Sequence, residues 1–193
     1  MVLMIPLAFP VYRREMGSHM YSASAYFIAA TASNICVNLF YPLLVSLLTF
    51  WFYGFPISSF DGFMCFFLIE ASGALAGILF GQVIGSFVTT EYTAMTWLMQ
   101  SLMVFYMGAG MLTNARTTNW FGTFCQYISP LRCLNELSLR RMLAGRNRVT
   151  SALILQELGF TWGVTTCSVL LFTYMVVCFT LGWSLMNFRA RRL

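Results

Sequence analysis

Residues 62–88 read GFMCFFLIEASGALAGILFGQVIGSFV, an apolar stretch in which Glu70 is the single charged residue. A helix needs about 20 predominantly apolar residues to cross a bilayer, and this stretch exceeds that length. Residues 27–55, 93–113 and 161–186 meet the same criterion. The sequence therefore predicts an integral membrane protein with an all-α fold, a polytopic transmembrane helical bundle of four spans.

The composition also indicates a membrane protein. Hydrophobic residues make up 59% of the chain and charged residues 9%, and the mean hydropathy is +0.75. Soluble domains carry about 25% charged residues, so a soluble core is excluded. The first span is not a cleavable signal sequence, because it is too long and follows Arg13, Arg14 and Glu15.

The net charge of +5 comes from arginine alone, since the chain contains no lysine. A phosphate-binding P-loop requires a lysine that reaches the β- and γ-phosphates. The chain is therefore expected to bind no nucleotide cofactor and not to be an enzyme. The arginines flank the predicted spans or lie in one loop, which is typical of membrane proteins and argues against a nucleic-acid partner.

Neither a metal site nor a redox site is expected. Four of the six cysteines lie in predicted spans, where they pack as small hydrophobic side chains. Cys125 and Cys133 would lie about 12 Å apart on one continuous helix, which is beyond the reach of a disulfide. The single histidine, His19, has no cysteine or carboxylate cluster near it in the sequence.

The segments outside the spans complete the organisation. Residues 1–26 combine a short apolar start with an amphipathic segment, and residues 187–193 form a basic tail. Residues 114–160 form the longest loop, in which Trp120, Phe124 and Tyr127 recur at helical spacing until Pro130 interrupts them. This pattern predicts re-entrant and interfacial helices rather than a free loop.

Polar residues inside the spans allow two interpretations each. Asn34 and Asn38 share a face of the first span, and Pro42 cannot donate to the carbonyl of Asn38. That face either bonds to a neighbouring helix or lines a wet path. Glu70 either makes a structural hydrogen bond inside the bundle or relays a substrate or a proton.

Two repeats of period four mark the second and third spans. Small residues at this spacing let two helix backbones approach closely, which predicts helix packing in the second span. The methionines of the third span either pack in the core or form a flexible apolar surface for varied shapes. A thioether path for Cu(I) is disfavoured, because successive positions drift by about 40° around the helix. The repeats are Gly73, Gly77, Gly81 and Gly85, and Met95, Met99, Met103, Met107 and Met111.

Three groups of short motifs occur in a characteristic order. The first is REMG at 14–17 with YS at 21–22 and SAYF at 24–27, and the second is residues 42–55. The third is GMLTN at 110–114 with Trp120 and YISPLR at 127–132. Together they resemble the membrane domain of G-subfamily ATP-binding cassette half-transporters, the White and multidrug/sterol exporter group. The likeness covers the coupling helix, the third span, the end of the fifth span and the re-entrant segment.

This resemblance implies that the chain contains spans three to six of six, preceded by two spans and an ATP-binding domain. It places both termini in the cytosol and the long loop outside. The coupling helix, with Arg13, Arg14 and Glu15, would meet the nucleotide-binding domain, which would hold ATP and Mg²⁺. Two half-transporters, identical or paralogous, would enclose the hydrophobic substrate. Met99, Met103 and Tyr106 would face that cavity, and Met111 and Leu112 would form its outer apolar plug.

The expected function is therefore that of a partial permease domain of an ATP-driven exporter for hydrophobic or amphipathic compounds, such as lipids, sterols or drug-like molecules. The plasma membrane is favoured over an intracellular membrane. A non-transporting tetraspan scaffold or assembly protein is the main alternative, and a passive methionine-lined conduit is a third.

Overall fold

The computed structural model describes residues 4–18, 20–53, 60–88, 90–110, 119–144 and 148–190. Within these ranges the chain forms helices and no strand, which confirms the predicted all-α fold. The helices are α1 (Met4–Gly17), α2 (Ala23–Asn38), α3 (Phe40–Tyr53), α4 (Phe60–Phe87), α5 (Glu91–Gly108), α6 (Trp120–Ile128), α7 (Pro130–Leu143), α8 (Arg148–Glu157) and α9 (Val164–Ala190).

Three helical stretches in the described part are long and apolar enough to cross a membrane. They are Ala23–Phe52, Phe60–Phe87 and Val164–Ala190, and they correspond to the first, second and fourth predicted spans. Helix α5 covers most of the third predicted span but includes Glu91 and Gln100. It is not among the three stretches, so its crossing of the membrane stays a prediction.

The first of these stretches is interrupted at Leu39, between α2 and α3. Pro42 then lies in the first turn of α3, where backbone N–H groups have no partner inside the helix and a missing donor costs little. On the α2 side, the Asn38 amide nitrogen donates to the backbone carbonyl of Asn34 at 2.8 Å. The helical break thus precedes the proline by a turn and places it at a tolerated position.

The chain divides into two compact units. The first consists of Met1–Asn38, Leu75–Ser101 and Tyr174–Leu193. In this unit α1, α2 and the end of α9 share a core of buried side chains, Tyr12, Ala23, Phe27 and Met186. A Cβ at Gly182 would lie 3.0 Å from the ring of Phe27, so this glycine permits the close approach of α9 to α2.

The end of α4 is also held within the first unit. The Arg189 Nη1 atom donates to the backbone carbonyls of Ser86 at 3.3 Å and Val88 at 3.2 Å. The last carbonyls of a helix lack intrahelical donors, so a guanidinium there satisfies them and interacts favourably with the helix dipole. Ile84, Val88 and Ala94 form a second small core between α4 and α5.

The second unit consists of Leu39–Ala74 and Leu102–Thr173. Its centre is the pair α6 and α7, which are separated by Ser129, and α7 begins at Pro130, a favourable first helical position. The Ser129 hydroxyl donates to the carbonyl of Phe105 at 2.8 Å, and the Asn135 amide donates to that of Ala109 at 3.2 Å. These bonds fix the end of α5 against the helix pair.

Candidate functional site

The predicted coupling segment forms the last turns of α1. Glu15 is half-buried and its carboxylate accepts a hydrogen bond from the phenol of Tyr21, while Arg14 is exposed. The carboxylate is therefore held in place by the segment that leads into α2. This bond raises the pKa of Tyr21 to about 12, because loss of the phenol proton would break it and place two negative charges side by side.

A cluster of three tyrosines joins α1 to α2. The ring centroid of Tyr12 lies 4.6 Å from that of Tyr26 and 6.4 Å from that of Tyr21, and the rings of Tyr21 and Tyr26 stack at 5.9 Å. Tyr12 is 1% exposed, and burial raises the pKa of its phenol. Aromatic pairs at these distances add to the packing energy. The motif-based prediction did not include this cluster, although Tyr21 and Tyr26 belong to the motif and Tyr12 lies just before it.

Helix α5 presents its predicted substrate residues on its surface. Met99 is 58% exposed, Met103 69% and Tyr106 53%. Met95 and Met107 are exposed as well, so the four described methionines of the repeat are not core residues of this chain. This exposure leaves a flexible apolar surface available to lipid, to a second copy or to a substrate, and the assignment to a cavity stays a prediction.

Some of the polar residues inside the spans have hydrogen-bond partners within their own units. Thr31 donates to the carbonyl of Phe27 at 2.7 Å and lies 3.2 Å from the Gln82 side-chain oxygen, and Asn34 is buried. Glu70 is half-buried and accepts a bond from the Ser138 hydroxyl at 3.4 Å. Glu70 thus has a hydrogen-bond partner on α7, and both interpretations of these polar residues stay predictions.

The four glycines of α4 differ in their surroundings. Gly81 and Gly85 are buried. A Cβ added to Gly73 would lie 2.8 Å from the Leu134 side chain of α7, whereas one added to Gly77 would meet nothing within 4 Å. Gly73 thus contacts another helix of this chain, and the exposed Gly77 remains open to a partner.

Helix α7 carries a buried ionic network that the sequence analysis missed. Glu136 is 0% exposed, and its Oε1 atom accepts bonds from Nε and Nη2 of Arg140 at 3.0 and 2.7 Å. Arg132 is 4% exposed; its Nη1 donates to the Gln126 side chain and its Nη2 to the carbonyl of Gly159 at 3.1 Å. The three ionic residues stand four apart, and this spacing on one helical face was the available signal.

The Arg132 guanidinium also stacks on an aromatic ring. Its central carbon lies 4.2 Å from the centroid of Trp162, which in turn lies 5.0 Å from the ring of Tyr127. Burial lowers the pKa of Arg132, and the nearby Glu136 opposes that shift. The cation therefore lies over the Trp162 ring, donates to two neutral acceptors and has nearby a carboxylate that Arg140 already engages.

Several predicted residues lie outside the described part of the chain. Met111 and Leu112, the proposed plug, are among them, as is His19, and for Arg13 the position in α1 is described but the side chain is not. Within the described residues no group of three or more histidine, cysteine or acidic side chains is arranged to hold a metal ion.

Most of the chain matches a known protein family. Residues 1–143 match the family model described as ABC-2 type transporter, and the matched part runs from the start of the chain to the end of α7. A search of curated proteins gave no match. The matched region contains the predicted coupling segment, α5 and the buried network of α7.

Proposed function

Because the chain belongs to the ABC-2 type transporter membrane family, we propose that it is the partial permease domain of an ATP-driven exporter for hydrophobic or amphipathic compounds. Family membership makes it an integral membrane permease component that pairs with an ATP-binding cassette component. The proposal adds the G-subfamily type, a dimer of half-transporters, the outward direction and the plasma membrane.

The observation that carries the proposal is the attachment of α1 to two apolar helices. Tyr12 of α1 is buried in one core with Phe27 of α2 and Met186 of α9. Closely packed interiors transmit displacement because side chains have little free volume to absorb it. A push on α1 is therefore passed to both helices.

In the proposed cycle the ATP-binding component supplies this push. Its closure on ATP would press on α1 near Arg14 and Glu15, and α2 and α9 would move as a rigid group with it. Movement of this kind closes a cavity on one side of a membrane and opens it on the other. ATP and Mg²⁺ belong to the partner component, and this chain contributes the surface that receives the movement.

The proposed substrate surface is the exposed face of α5. Met99 and Met103 offer polarizable thioether chains with three rotatable bonds, which adapt to substrates of different shape. Tyr106 adds a phenol next to this apolar surface. A second half-transporter that faced α5 would cover these residues and form the cavity between the two copies.

The coupling step is tested in the full-length transporter by Glu15→Ala, with Tyr21→Phe as a second variant that removes only the hydrogen bond to Glu15. We expect ATP hydrolysis to continue while substrate efflux per ATP falls, more strongly for Glu15→Ala. Both rates are measured in proteoliposomes. Glu91→Ala, which removes an exposed acid at the start of α5, is the matched control.

Unchanged efflux per ATP in Glu15→Ala would show that the coupling assignment is wrong. Failure of α1 to cross-link to any ATP-binding component would favour the scaffold alternative instead. The substrate surface is tested separately by Met103→Ala, which should alter the KM for an apolar substrate. Leu48→Ala, which truncates another exposed apolar residue, on α3 and without an assigned role, is its control.

A further inference from the structure

A pocket of about 350 Å³ lies in the second unit, beside α6 and the segment that joins α8 to α9. Its lining includes neutral polar groups from Gln126, Gln156 and Thr161 and the rings of Tyr127 and Trp162. The guanidinium of Arg132 completes it, and the described lining contains no acidic residue. The described lining of the pocket therefore carries a net positive charge, from Arg132.

Arg132 forms no direct ion pair in the described part of the protein. Its two terminal nitrogens donate to the neutral acceptors Gln126 and Gly159, and its Nε atom is buried without a hydrogen-bond partner among the described residues. The nearby Glu136 carboxylate bonds to Arg140 through Oε1, and its Oε2 atom is buried without a hydrogen-bond partner among the described residues. Two arginines thus share one acid.

A buried cation is unfavourable unless it is paired, and an unused N–H donor adds to that cost. The face of Trp162 offsets part of it through a cation–π contact. An anion bound in the pocket would offset the rest, because it would neutralise the excess positive charge of the α7 network. A guanidinium fork matches the planar oxygens of a carboxylate better than any other common anion of single charge.

We propose that this pocket binds the carboxylate of a small anion or amphiphile, with Arg132 as its cation. Gln156 and Thr161 are exposed in the pocket and supply neutral hydrogen-bond donors. The Tyr127 and Trp162 rings provide an apolar wall for a short acyl chain. The volume is at the lower end of the range for small-molecule sites, so the ligand is of the size of octanoate.

The test is a scintillation proximity assay with tritiated octanoate on the full-length protein in phosphatidylcholine nanodiscs, without nucleotide. We expect saturable binding that octanol, which has the same chain without the charge, does not displace. Displacement by acetate as effective as that by unlabelled octanoate would assign the site to free carboxylates, and weak displacement by acetate would assign it to amphiphiles. Both results support carboxylate recognition.

Arg132→Gln should weaken octanoate binding about tenfold or more, since a charge-assisted contact is lost. The double variant Gln156→Leu/Thr161→Val changes exposed residues only. It should weaken octanoate binding several-fold, because each substitution removes about one neutral hydrogen bond. The double variant therefore still tests the pocket if Arg132→Gln does not fold. Arg141→Gln is the matched control, since Arg141 lies on α7 and donates to the carbonyl of Asp61.

Equal displacement by octanol and octanoate would overturn the proposal, as would unchanged binding in the double variant. No nucleotide or transport step enters the assay, so its outcome is independent of the proposed export function.

Discussion

Helix α5 exposes apolar side chains, whereas helix α7 buries charged ones. On α5 the apolar side chains of Met99 and Met103 are more than half exposed, whereas on α7 the ionic side chains of Arg132 and Glu136 are buried. In a bilayer an exposed methionine costs nothing, because lipid is as apolar as the side chain. A buried charge must find its partner inside the protein. The charges of α7 are therefore expected to matter for stability, whereas the exposed methionines of α5 are not constrained in this way.

The largest effect is expected from Glu136→Gln. The change leaves two arginines of α7 without their shared carboxylate, and it should lower the free energy of unfolding by about 4 kcal/mol, as when one partner of a buried pair is removed. Reversible unfolding in mixed detergent micelles measures it. Glu91→Gln removes an exposed acid of α5 and should change the free energy by less than about 0.5 kcal/mol. Similar values for the two variants would contradict the comparison.

The next effect concerns two glycines. A Cβ at Gly108 would fall on the backbone carbonyl oxygen of Cys125 and 2.7 Å from its carbonyl carbon. Gly108→Ala should therefore cost about 3 kcal/mol, at the upper end for overpacking because backbone cannot rotate away. Gly77→Ala meets nothing within 4 Å and should be neutral or stabilising by up to about 1 kcal/mol. The same assay applies, and a tolerated Gly108→Ala would show that α5 and α6 separate easily.

A pair of methionines tests whether the face of α5 is dispensable for folding. Met186 is 1% exposed, and Met186→Ala should cost about 2 kcal/mol through the cavity that it leaves. Met103 is 69% exposed, and Met103→Ala should change the free energy of unfolding by less than about 0.5 kcal/mol. A larger loss for Met103→Ala would mean that the exposed face of α5 is covered by a packing contact in the sample used for the unfolding measurement.

The smallest effect concerns pH. The pKa of Tyr21 is raised from 10.0 to about 12 in the folded state by its bond to Glu15. A raised pKa stabilises the folded state fully below pH 10, and that contribution is lost as the pH rises from 10 to about 12. Glu15→Gln should bring the Tyr21 titration back towards pH 10.

The ultraviolet absorbance of tyrosinate follows this titration. Subtracting the curve of Tyr21→Phe from that of the unmodified protein isolates the contribution of Tyr21 from those of the other tyrosines, of which the chain has nine in all. Tyr92→Phe, which removes an exposed tyrosine of α5, is the control. If the component lost in Tyr21→Phe titrates near pH 10, the hydrogen bond to Glu15 does not form in solution.

Much of the fold was predictable because long apolar runs admit few structures in lipid. Residues 62–88 predicted a single helix, and α4 extends over Phe60–Phe87. The aromatic stripe predicted a helix that ends before Pro130, and α6 ends at Ile128. The third span was predicted by the same criterion as the others, but α5 is shorter, includes Glu91 and Gln100 and is not among the three stretches long and apolar enough to cross a membrane.

The candidate site was predictable only in part. The motif around Arg14 and Glu15 marked the end of α1, but not the Tyr21 bond that holds Glu15. Likewise the sequence analysis gave the arginines of the long loop no role beyond one typical of membrane proteins, because charged residues are usually solvated. Two of them, Arg132 and Arg140, instead belong to a buried network, since Glu136 and the carbonyls of Gly159 and Phe160 lie within hydrogen-bond distance.

The sequence by itself determined that this protein resides in a membrane, that it is helical and where its apolar helices lie. These properties follow from local composition and from the need to satisfy every backbone hydrogen bond within the chain. Only the tertiary structure decided which polar side chains are buried and with whom they pair, as for Arg132 with Trp162 and Glu70 with Ser138. Such pairs join residues far apart in the chain, and their geometry exists only once the helices have packed.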